Sequence, residues 1–254
     1  DNWIPHEKIF FYSFLNNLFG KKIDLFLTFS ENVSLKMNKK YLKKIITIFH
    51  PINFNLPKKI SKKEACKNLK ISEKFTYVLY FGIIREYKGL DILINSFAKN
   101  IIKKENIKLI IAGEFYSKKE KYINLINKLE VNSRIILDSN FISDNKVRDY
   151  FCVSDLLIQT YRSGSQSGVT PRAYYYDTPI LVSEINGLKE QIIKDNTGGI
   201  TELNFDKISK KIIYCLNDKN QKKFILNIRK NKVKYSWDIF SKKLVESSNK
   251  VDNV

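Results

Sequence analysis

Short blocks of hydrophobic residues alternate with longer amphipathic stretches along the chain from residue 74 onward. The short blocks are rich in β-branched and aromatic side chains, which favour strands, whereas the longer stretches repeat their apolar positions with a helical period. The pattern predicts five strands, at residues 76–84, 107–112, 134–137, 155–160 and 179–183. It also predicts five helices, at residues 89–100, 118–129, 144–153, 169–176 and 188–194.

This alternation of strands and helices predicts the fold class. Repeated strand–helix units form a parallel sheet with helices on both faces, so the expected fold is α/β and Rossmann-like. Ligands of such sheets bind beyond the carboxyl ends of the strands. A functional site is therefore expected in the loops that follow the predicted strands.

The first 55 residues predict part of a second domain. They contain a predicted helix, strand, helix and strand, at residues 8–18, 24–28, 31–37 and 45–49. This order is typical of the tail end of an α/β domain, so we expect residues 1–55 to be the last part of an N-terminal, acceptor-side domain that is incomplete in this chain.

The remaining boundaries follow from changes in the pattern. Residues 56–73 are expected to be a connection, because 58–70 lack a strong apolar face, and residues 74–234 to be the main domain. Residues from Phe205 to the end are predicted to be helical and amphipathic, with 235–254 as a closing helix. The spacing of Trp237, Ile239, Phe240 and Leu244 predicts that these side chains form one buried face of that helix.

The composition is that of a globular protein with a large excess of positive charge. Hydrophobic residues make up 43% of the 254 residues, and the formal net charge is +19. Such an excess favours a phosphate-rich partner, either nucleic acid or an anionic membrane surface, although abundant Lys, Asn and Ile also fit a compositional drift. Because the lysines are scattered and no basic stripe carries stacking aromatics, we expect no nucleic acid and retain the anionic membrane surface.

Cysteine usage and the start of the chain bear on its location. Cys66, Cys152 and Cys215 are odd in number and far apart, so the sequence predicts neither a disulfide framework nor a zinc site. No apolar run approaches the ~18 residues of a transmembrane helix. The sequence begins with Asp1 and not with Met, and its first residues lack the basic opening of a signal peptide. We expect a cytoplasmic chain, peripheral on the inner face of the membrane if it binds lipid, whose sequence begins in mid-protein.

The first candidate site is a glycine turn followed by two cations. The first strand of the main domain is predicted to end near Gly82, and Arg85 and Lys88 follow before the next helix. The amide groups and dipole of a helix start favour phosphate, and a guanidinium can hold phosphate with two hydrogen bonds. The alternative is a solvated turn whose cations pair with Glu86 and Asp91.

Other motifs follow this turn in a fixed order. They are Ile110-Ile111-Ala112-Gly113-Glu114, Phe141-Ile142, Ser154-Asp155-Leu156-Leu157-Ile158, Ser163-Gly164-Ser165-Gln166-Ser167-Gly168-Val169, Asp177-Thr178-Pro179-Ile180-Leu181-Val182-Ser183, Asn186-Gly187-Leu188-Lys189-Glu190 and Asp195-Asn196-Thr197-Gly198-Gly199. Over about residues 76–200, the series resembles the donor domain of the family 4 glycosyltransferases. Tyr235-Ser236-Trp237-Asp238 is similar to the start of that family's closing helix. Each motif is generic, and the ordered set is specific.

The resemblance implies the C-terminal half of an enzyme with two Rossmann-like domains. Such an enzyme transfers a sugar from a UDP- or GDP-linked nucleotide sugar to a glycan or lipid-linked acceptor, with retention of anomeric configuration and without a metal or other cofactor. Synthesis of surface polysaccharide or glycoconjugate is the implied process. Breaking the sugar–phosphate bond sends negative charge onto the diphosphate, so cations already aimed there stabilise the transition state.

The resemblance assigns the diphosphate cations. Lys88 matches the family's diphosphate lysine by its spacing from Gly82 and by Gly89 after it. The family arginine usually follows the glycine directly, where this chain has Ile83. Arg85, two places further on, is taken as its substitute.

Further roles follow from the same resemblance. Gly113 and Glu114 stand where the family lets the nucleotide approach closely, and Ile142 where the backbone flanks the base. Glu190, near a helix start, is expected to be structural. His6 lies on the loop where the family's first domain approaches the acceptor, and there it could orient the acceptor or the reacting sugar. A solvated loop histidine is the alternative.

The chain departs from the family where two glutamates, with seven residues between them, are usual. Counted back from the Thr178-Pro179 pair, their positions fall on Gly164 and Arg172. The replacing segment, called the 165–169 loop below, resembles one that a branch of the family carries and consists of Ser165, Gln166, Ser167, Gly168 and Val169.

The side chains of the 165–169 loop can hydrogen-bond sugar hydroxyls or phosphate, and Gly168 lets backbone amides approach at a helix start. We therefore place this loop, with Arg172, among the donor-binding candidates. A plain helix cap, with Ser167 or Thr170 as N-cap and Pro171 in the first turn, is compatible with that role.

Alternatives from other classes are also considered. Residues 164–168 nearly match a serine hydrolase elbow, but Gln166 stands where the serine is needed. No pair of acids across one cleft suggests a glycosidase, and His50 is expected to make only a hinge-side contact. Two alternatives remain open: a non-catalytic or truncated nucleotide-sugar-binding module that needs a partner chain, and, more weakly, a sugar-nucleotide epimerase.

Overall fold

The computed structural model of the chain describes residues 12–41 and 44–249. Their strands are β1 Leu25–Thr28, β2 Lys44–Thr47, β3 Thr76–Phe81, β4 Ile107–Ala112, β5 Ile135–Asp138, β6 Leu156–Gln159, β7 Ile180–Ser183 and β8 Gly198–Thr201. Their helices are α1 Tyr12–Lys22, α2 Glu31–Tyr41, α3 Lys62–Leu69, α4 Leu90–Phe97, α5 Asn100–Lys103, α6 Lys119–Lys128, α7 Asp144–Val153, α8 Thr170–Tyr175, α9 Asn186–Asp195, α10 Phe205–Leu216, α11 Asp218–Asn231 and α12 Trp237–Asn249. Short 3-10 turns lie at Glu86–Lys88, Asn132–Arg134 and Lys232–Tyr235.

Six strands form one parallel sheet in the order β5-β4-β3-β6-β7-β8. The chain winds outward from β3 in one direction and, after crossing back, outward from β6 in the other. Successive side chains of β3 point to opposite faces: Tyr77 and Leu79 enter one buried cluster, and Val78 and Tyr80 enter the other. The expected α/β sheet with a core on both faces is confirmed.

One strand and one helix were missed by the sequence analysis. Strand β8 begins with Gly198 and Gly199, which resemble a turn in sequence; a Cβ on Gly198 would overlap the backbone of Ile180, so this close strand pairing needs glycine. Helix α3 lies inside the expected connection. Its N-cap, Ser61, accepts a hydrogen bond from the amide of Glu64 at 3.1 Å, and only Ala65 and Cys66 are buried against α7, which explains the weak apolar signal.

Two other expectations need correction. The predicted helix at 89–100 is interrupted, because α4 ends at Phe97 and α5 begins at Asn100. Trp237 is 53% exposed, so the expected buried face of the closing helix is wrong in this position. Phe240 is the side chain of that face that becomes buried, and Trp237 packs edge-on against it with the ring centroids 5.3 Å apart.

The front segment, residues 12–56, contains a two-stranded parallel sheet of β1 and β2. Glu190 of helix α9 fixes it to the main sheet: its carboxylate accepts hydrogen bonds from the amides of Glu31 at 2.8 Å and Asn32 at 3.0 Å. Glu190 thereby satisfies donors at the start of helix α2, which would otherwise lack partners. Ile52 of the front segment also forms an isolated β-bridge with Ser236, in which its amide donates to the carbonyl of Tyr235 at 2.7 Å.

Asp177 ties three further segments together. It follows helix α8 in the left-handed backbone region, with φ at 61°, and is 8% exposed. Its carboxylate contacts Lys59 of the connection at 3.1 Å, Arg229 of α11 at 3.1 Å and Lys232 at 2.7 Å. Burial opposes ionisation, but the hydrogen bonds and charges of Lys232 and Lys59 outweigh it and hold the pKa of Asp177 below its ordinary value.

Replacing Asp177 by Asn removes this charge and keeps a side chain that tolerates the left-handed backbone. We expect the free energy of unfolding at neutral pH to fall by about 1–3 kcal/mol, because three cations lose their shared acceptor. The pKa of Asp177 is lower in the folded protein than in the unfolded chain, where it is about 4. The carboxylate therefore stabilises the fold fully above about pH 4, and this stabilisation is lost as the pH falls through the pKa of the folded state.

Urea denaturation of both proteins as a function of pH measures this effect. Glu202→Gln is the matched control: it breaks the exposed pair with Lys207 and should change the stability by less than about 1 kcal/mol. A difference between wild type and Asp177→Asn that does not shrink below about pH 4 would contradict the assignment.

Candidate functional site

A cavity of about 600 Å³ opens at the carboxyl ends of the central strands, within the size range of small-molecule sites. It lies where the sheet reverses its winding, between β3 and β6, which is where open α/β sheets bind ligands. Its walls come from the front segment, from the ends of β3 and β4 and from the start of α8. The lining residues are His50, Pro51, Asn53, Leu56, Phe81, Gly82, Ile83, Lys88, Gly113, Glu114, Phe141, Ile142, Gly168, Val169, Pro171 and Arg172.

The floor of the cavity is made by two glycines at the ends of adjacent strands. Gly82 has φ at 106° and Gly113 has φ at 143°, a backbone region that favours glycine. A Cβ on Gly113 would overlap the carbonyl of Gly82, so the two backbones pass each other at close range. Beyond them the strands rejoin, with Ile84 donating to the carbonyl of Glu114 at 2.8 Å. The absence of side chains at these two lining positions leaves room for a ligand to approach the backbone.

Lys88 is the cation that enters this crevice. The 3-10 turn Glu86–Lys88 carries it, and Gly89 ends the turn in the left-handed region with φ at 67°. The ammonium lies 5.4 Å from the centroid of the Tyr161 ring, at the distance of a cation–π contact. Burial, with a smaller effect from the charge of Arg85, lowers the pKa of Lys88 to about 8. The group is therefore a partly desolvated cation that gains from an incoming anion.

Arg85 has a different environment from Lys88. Its guanidinium lies over the Tyr116 ring, 5.3 Å from the centroid, and the residue is not among those lining the cavity. Ile83, which occupies the place where the family arginine is usual, is 43% exposed and does line it. At the place of the family arginine the turn therefore presents the apolar side chain of Ile83, and Arg85, the expected substitute, does not line the cavity.

A second cation comes from the start of α8. Arg172 is half-buried, lines the cavity and places its guanidinium 5.9 Å from the centroid of the Phe81 ring. Gly168 and Val169 line the same wall, and a Cβ on Gly168 would meet open space. Arg172 thus stands in the cavity at one of the two positions where the resembling family has a glutamate.

The opposite wall holds the candidates for the nucleotide end of a ligand. Glu114 and Ile142 both line the cavity, as expected from the resemblance. Phe141, beside Ile142, also lines it and is 79% exposed, so a large aromatic face is open to a ligand. Sequence reasoning used Phe141 only as part of a motif, although an aromatic residue after a predicted strand is a local signal for a stacking surface.

The first three residues of the 165–169 loop are not part of the cavity wall. Ser165, Gln166 and Ser167 do not line it; Gln166 and Ser167 border a much smaller space beside the front segment. The hydroxyl of Ser167 accepts hydrogen bonds from Nε2 of Gln159 at 2.8 Å and from the amide of Val169 at 3.3 Å. Its lone pairs are therefore used inside the protein, which gives this serine the geometry of a loop support.

Gln159 is a site residue that the sequence analysis missed. It ends strand β6, is 2% exposed, and orients Ser167 through its amide nitrogen while its oxygen lies 3.5 Å from the hydroxyl of Thr170. A buried polar residue in a strand that is otherwise apolar, Leu156–Gln159, is the sequence signal that could have identified it.

The front segment contributes four further lining residues that sequence reasoning assigned at most to the hinge. His50, Pro51, Asn53 and Leu56 close the cavity on the side opposite the sheet. The Nδ1 atom of His50 lies 2.9 Å from the carbonyl of Pro51, and its ring packs 5.4 Å from that of Phe29. His50 therefore reaches the cavity, which a hinge contact alone does not require.

Three further expectations concern His6, metal binding and membrane-spanning helices. His6 lies outside the residues that the structure describes. Within residues 12–41 and 44–249, no group of three or more His, Cys, Asp and Glu side chains is placed to hold a metal ion. Within the same residues, no helix has the length and hydropathy needed to cross a bilayer.

Comparison with known proteins identifies relatives of this arrangement. The family model described as "Glycosyl transferases group 1" matches residues 61–231, which include the whole six-stranded sheet. A capsular polysaccharide biosynthesis glycosyltransferase of Staphylococcus aureus, CapM, is 26% identical over 172 residues, covering 65% of this chain and 44% of CapM. This chain spans less than half the length of the curated relatives that it matches.

Solved structures share the fold at low sequence identity. Sucrose-phosphate synthase from Thermosynechococcus elongatus superposes with a TM-score of 0.81 at 15% identity, over 95% of this chain and 62% of the synthase. HepE of Anabaena, solved in complex with UDP-glucose, has a TM-score of 0.76 at 15% identity, over 94% of this chain and 67% of HepE. The similarity to both structures includes the front segment as well as the sheet, since it covers nearly the whole chain.

Replacing Gln159 by Leu should loosen the 165–169 loop. Ser167 then loses its 2.8 Å donor, and we expect faster hydrogen exchange at the loop amides together with a loss of about 1–2 kcal/mol in the free energy of unfolding. Hydrogen exchange with mass spectrometry measures the first effect and urea denaturation the second.

Gln221→Leu is the matched control for this change. It removes a glutamine that donates to the carbonyl of Asp155 at 2.7 Å, away from the loop. The control should leave exchange at residues 165–169 unchanged. If both variants accelerate exchange there equally, or if neither does, Gln159 does not support the loop.

Proposed function

This chain belongs to the group 1 glycosyltransferases, and we propose that it transfers a sugar from a nucleotide sugar donor to a glycan or lipid-linked acceptor, with retention of anomeric configuration. Lys88 is the observation that carries the proposal: a half-buried ammonium in a 600 Å³ crevice at the switch point of the sheet. We infer surface polysaccharide or glycoconjugate synthesis as the process, because the relatives include a capsular polysaccharide glycosyltransferase.

The cavity suits a diphosphate at its base. Lys88 and Arg172 supply two positive charges on neighbouring walls, and the Gly82 and Gly113 backbones leave room for the ligand to approach. Cleavage of the bond between the sugar carbon and the diphosphate oxygen leaves a negative charge on that oxygen. A cation already in place stabilises this charge without reorganisation, which is the largest contribution that the protein can make to such a step.

We propose that the base of the nucleotide lies against Phe141 and the backbone at Ile142, with Glu114 beside the nucleoside. Exposed aromatic area at Phe141 favours stacking of a planar ring. HepE, a structural neighbour, is described in complexes with UDP and with UDP-glucose, which supports a UDP-linked donor. A GDP-linked sugar, the other donor implied by the resemblance, would present the same diphosphate to Lys88 and Arg172. We propose that the transfer needs no metal cofactor, since Lys88 and Arg172 can neutralise the leaving diphosphate.

The 165–169 loop supports a subgroup within the family. Ser167 is committed to Gln159, and Arg172 faces the cavity at one of the two positions where the resembling family has a glutamate. We propose that donor binding in this subgroup uses an additional cation in place of that carboxylate, while Gly168 and Val169 form the wall of the sugar site. His50, on the front segment, is placed to contact the donor from the other side.

We propose that residues up to 55 are the end of an acceptor-side domain, that 56–73 connect it to a donor domain at 74–234, and that the rest is the closing helix. Support comes from the separate two-stranded sheet of β1 and β2 and from the crevice between the front segment and the main sheet. We propose that His6, in that acceptor-side domain, orients the acceptor or the reacting sugar.

We further propose that the chain attaches to an anionic membrane surface. Helix α1 exposes Phe14, Leu18 and Phe19, each more than half exposed, beside Lys21 and Lys22 in its last turn. Exposed apolar and basic side chains on one helix are typical of binding to anionic lipid. The net charge of +19 adds a long-range attraction.

Replacing Lys88 by Ala should weaken the binding of UDP or GDP by about 10- to 100-fold, because a charge-assisted contact to the diphosphate is lost. The pH dependence has a definite sign. In the protein without nucleotide the pKa of Lys88 is about 8, and a bound diphosphate raises it. The affinity for nucleotide should therefore fall as the pH rises above 8, and binding near that pH should take up a proton. Calorimetry in two buffers of different ionisation enthalpy measures both quantities.

Lys121→Ala is the control for this experiment, since Lys121 pairs with Glu86 on the outer side of the same turn. It should bind as the wild type does. If no nucleoside diphosphate or its sugar binds, and Lys88→Ala behaves like the wild type, the proposed function is wrong. Release of free nucleotide from the donor without a glycosylated product would favour an epimerase.

The membrane proposal predicts binding to vesicles that contain phosphatidylglycerol and not to pure phosphatidylcholine vesicles, with less binding at high salt. The triple change Phe14→Ser, Leu18→Ser, Phe19→Ser should abolish co-sedimentation. Tyr214→Ser, Leu226→Ser, Val233→Ser, at exposed positions elsewhere, is the matched control. Equal binding by both triple variants would contradict a role for helix α1.

A further inference from the structure

The turn that carries Lys88 is held by its neighbours more than by its own bonds. It is a single 3-10 turn, and Gly89, the residue after it, has a left-handed backbone conformation. Two carbonyls of the turn and that of Gly89, which follows it, accept hydrogen bonds from the segment after strand β6. The amide of Arg162 donates to Tyr87 at 2.6 Å, its Nη1 to Glu86 at 2.7 Å, and the hydroxyl of Thr160 to Gly89 at 2.9 Å.

Arg162 also reaches the helix beyond the turn. Its Nη2 atom donates to the carboxylate of Asp91 in the first turn of α4 at 2.6 Å. One planar guanidinium therefore bonds to the carbonyl at the start of the Lys88 turn and to a side chain after its end. A lysine carries its three donors on one nitrogen atom and lacks the planar fork with which Arg162 reaches both acceptors from separate nitrogens.

The fixed position of the turn matters because Lys88 sits in an unfavourable environment. A protonated amine gains hydration when it leaves a crevice, so desolvation drives the Lys88 side chain outward. A three-residue turn can shift and let the Lys88 side chain move into solvent unless other segments hold the turn in place. Tyr161, whose ring the Lys88 ammonium contacts, precedes Arg162 in the chain. The ring that Lys88 packs against and the hydrogen bonds that hold its turn therefore come from one segment.

We propose that Arg162 is a positioning residue for Lys88: through Asp91 and the carbonyls of the turn, it keeps the Lys88 ammonium in the crevice, ready for the diphosphate. The effect of Arg162 on nucleotide binding rests on the proposed function. Its effect on the position of Lys88 rests only on the hydrogen bonds described above. Arg162 lies outside the cavity wall, with its side chain 41% exposed, and acts only through Lys88.

Replacing Arg162 by Met keeps the apolar part of the side chain and removes the fork. Calorimetric affinity for UDP and GDP should fall by about tenfold or more, as expected when a binding group is misplaced by about an ångström. The midpoint of the pH dependence should move upward from about 8 toward the ordinary lysine value, because the ammonium becomes hydrated. Loss of the Arg162 charge alone would also raise this midpoint, whereas loss of the Asp91 charge in Asp91→Asn would by itself lower it, so an upward shift in both variants identifies positioning.

The double variant separates positioning from general damage. In the Lys88→Ala background, Arg162→Met should cause no further loss of affinity, because the group that it positions is gone. Asp91→Asn, which loosens the same fork from its other end, should reproduce part of the effect. If Arg162→Met does not fold, Asp91→Asn carries the same readouts.

Glu86→Gln is the matched control. It breaks the pair with Lys121 at 2.9 Å, on the same turn, but leaves the carbonyl of Glu86 and Arg162 unchanged. Its affinity and pH midpoint should equal those of the wild type. The proposal is overturned if Arg162→Met and Asp91→Asn keep the wild-type midpoint and affinity, or if Arg162→Met weakens binding equally in the Lys88→Ala background.

A measurement without nucleotide keeps this test separate from that of the proposed function. Reductive ¹³C-methylation of the lysines and NMR titration report the pKa of Lys88, assigned by the signal that is lost in Lys88→Ala. The signal should titrate near 8 in the wild type and higher in Arg162→Met. If wild type binds no nucleotide but the two titrations differ, the function is wrong and the positioning role stands; equal titrations refute the positioning role itself.

Discussion

The reversal of winding between β3 and β6 is the constraint on which the rest of the site depends. The chain leaves these neighbouring strands in opposite directions across the sheet, so their carboxyl ends have no helix directly above them. The turn with Lys88 follows β3, and the segment with Thr160, Arg162 and the 165–169 loop follows β6. The contacts that Thr160, Tyr161 and Arg162 make with the Lys88 turn arise because these two departures start from adjacent strands.

Local signals were enough to find part of the site. Gly82 and Gly113 stand out because a glycine directly after an apolar strand indicates either a left-handed backbone or a close approach, and both occur here. Lys88 stands out because a cation before a helix start suggests an anion site. The parallel α/β sheet follows from the alternation of strands and helices, although the order β5-β4-β3-β6-β7-β8 is not encoded in any one segment.

The remaining residues could not be predicted, because their roles depend on contacts distant in sequence. Ser167 faces inward because Gln159 meets it from the end of a buried strand. Helix α3 is held by two small residues, Ala65 and Cys66, which leave almost no periodic signal. Trp237 looks like a core residue in sequence, yet it is on the outside of its helix. His50 reaches the cavity only because the front segment folds over the sheet.

Asp177 shows what an excess of bases does to a buried acid. The chain has 45 basic and 26 acidic side chains, so acids are the limiting partner. At Asp177 one carboxylate serves Lys59, Arg229 and Lys232. Losing one of these bases leaves the acid with two others, whereas losing the acid leaves three like charges facing one another. Tolerance to substitution is thus asymmetric: replacing the shared anion destabilises this junction more than replacing any one of its three cations.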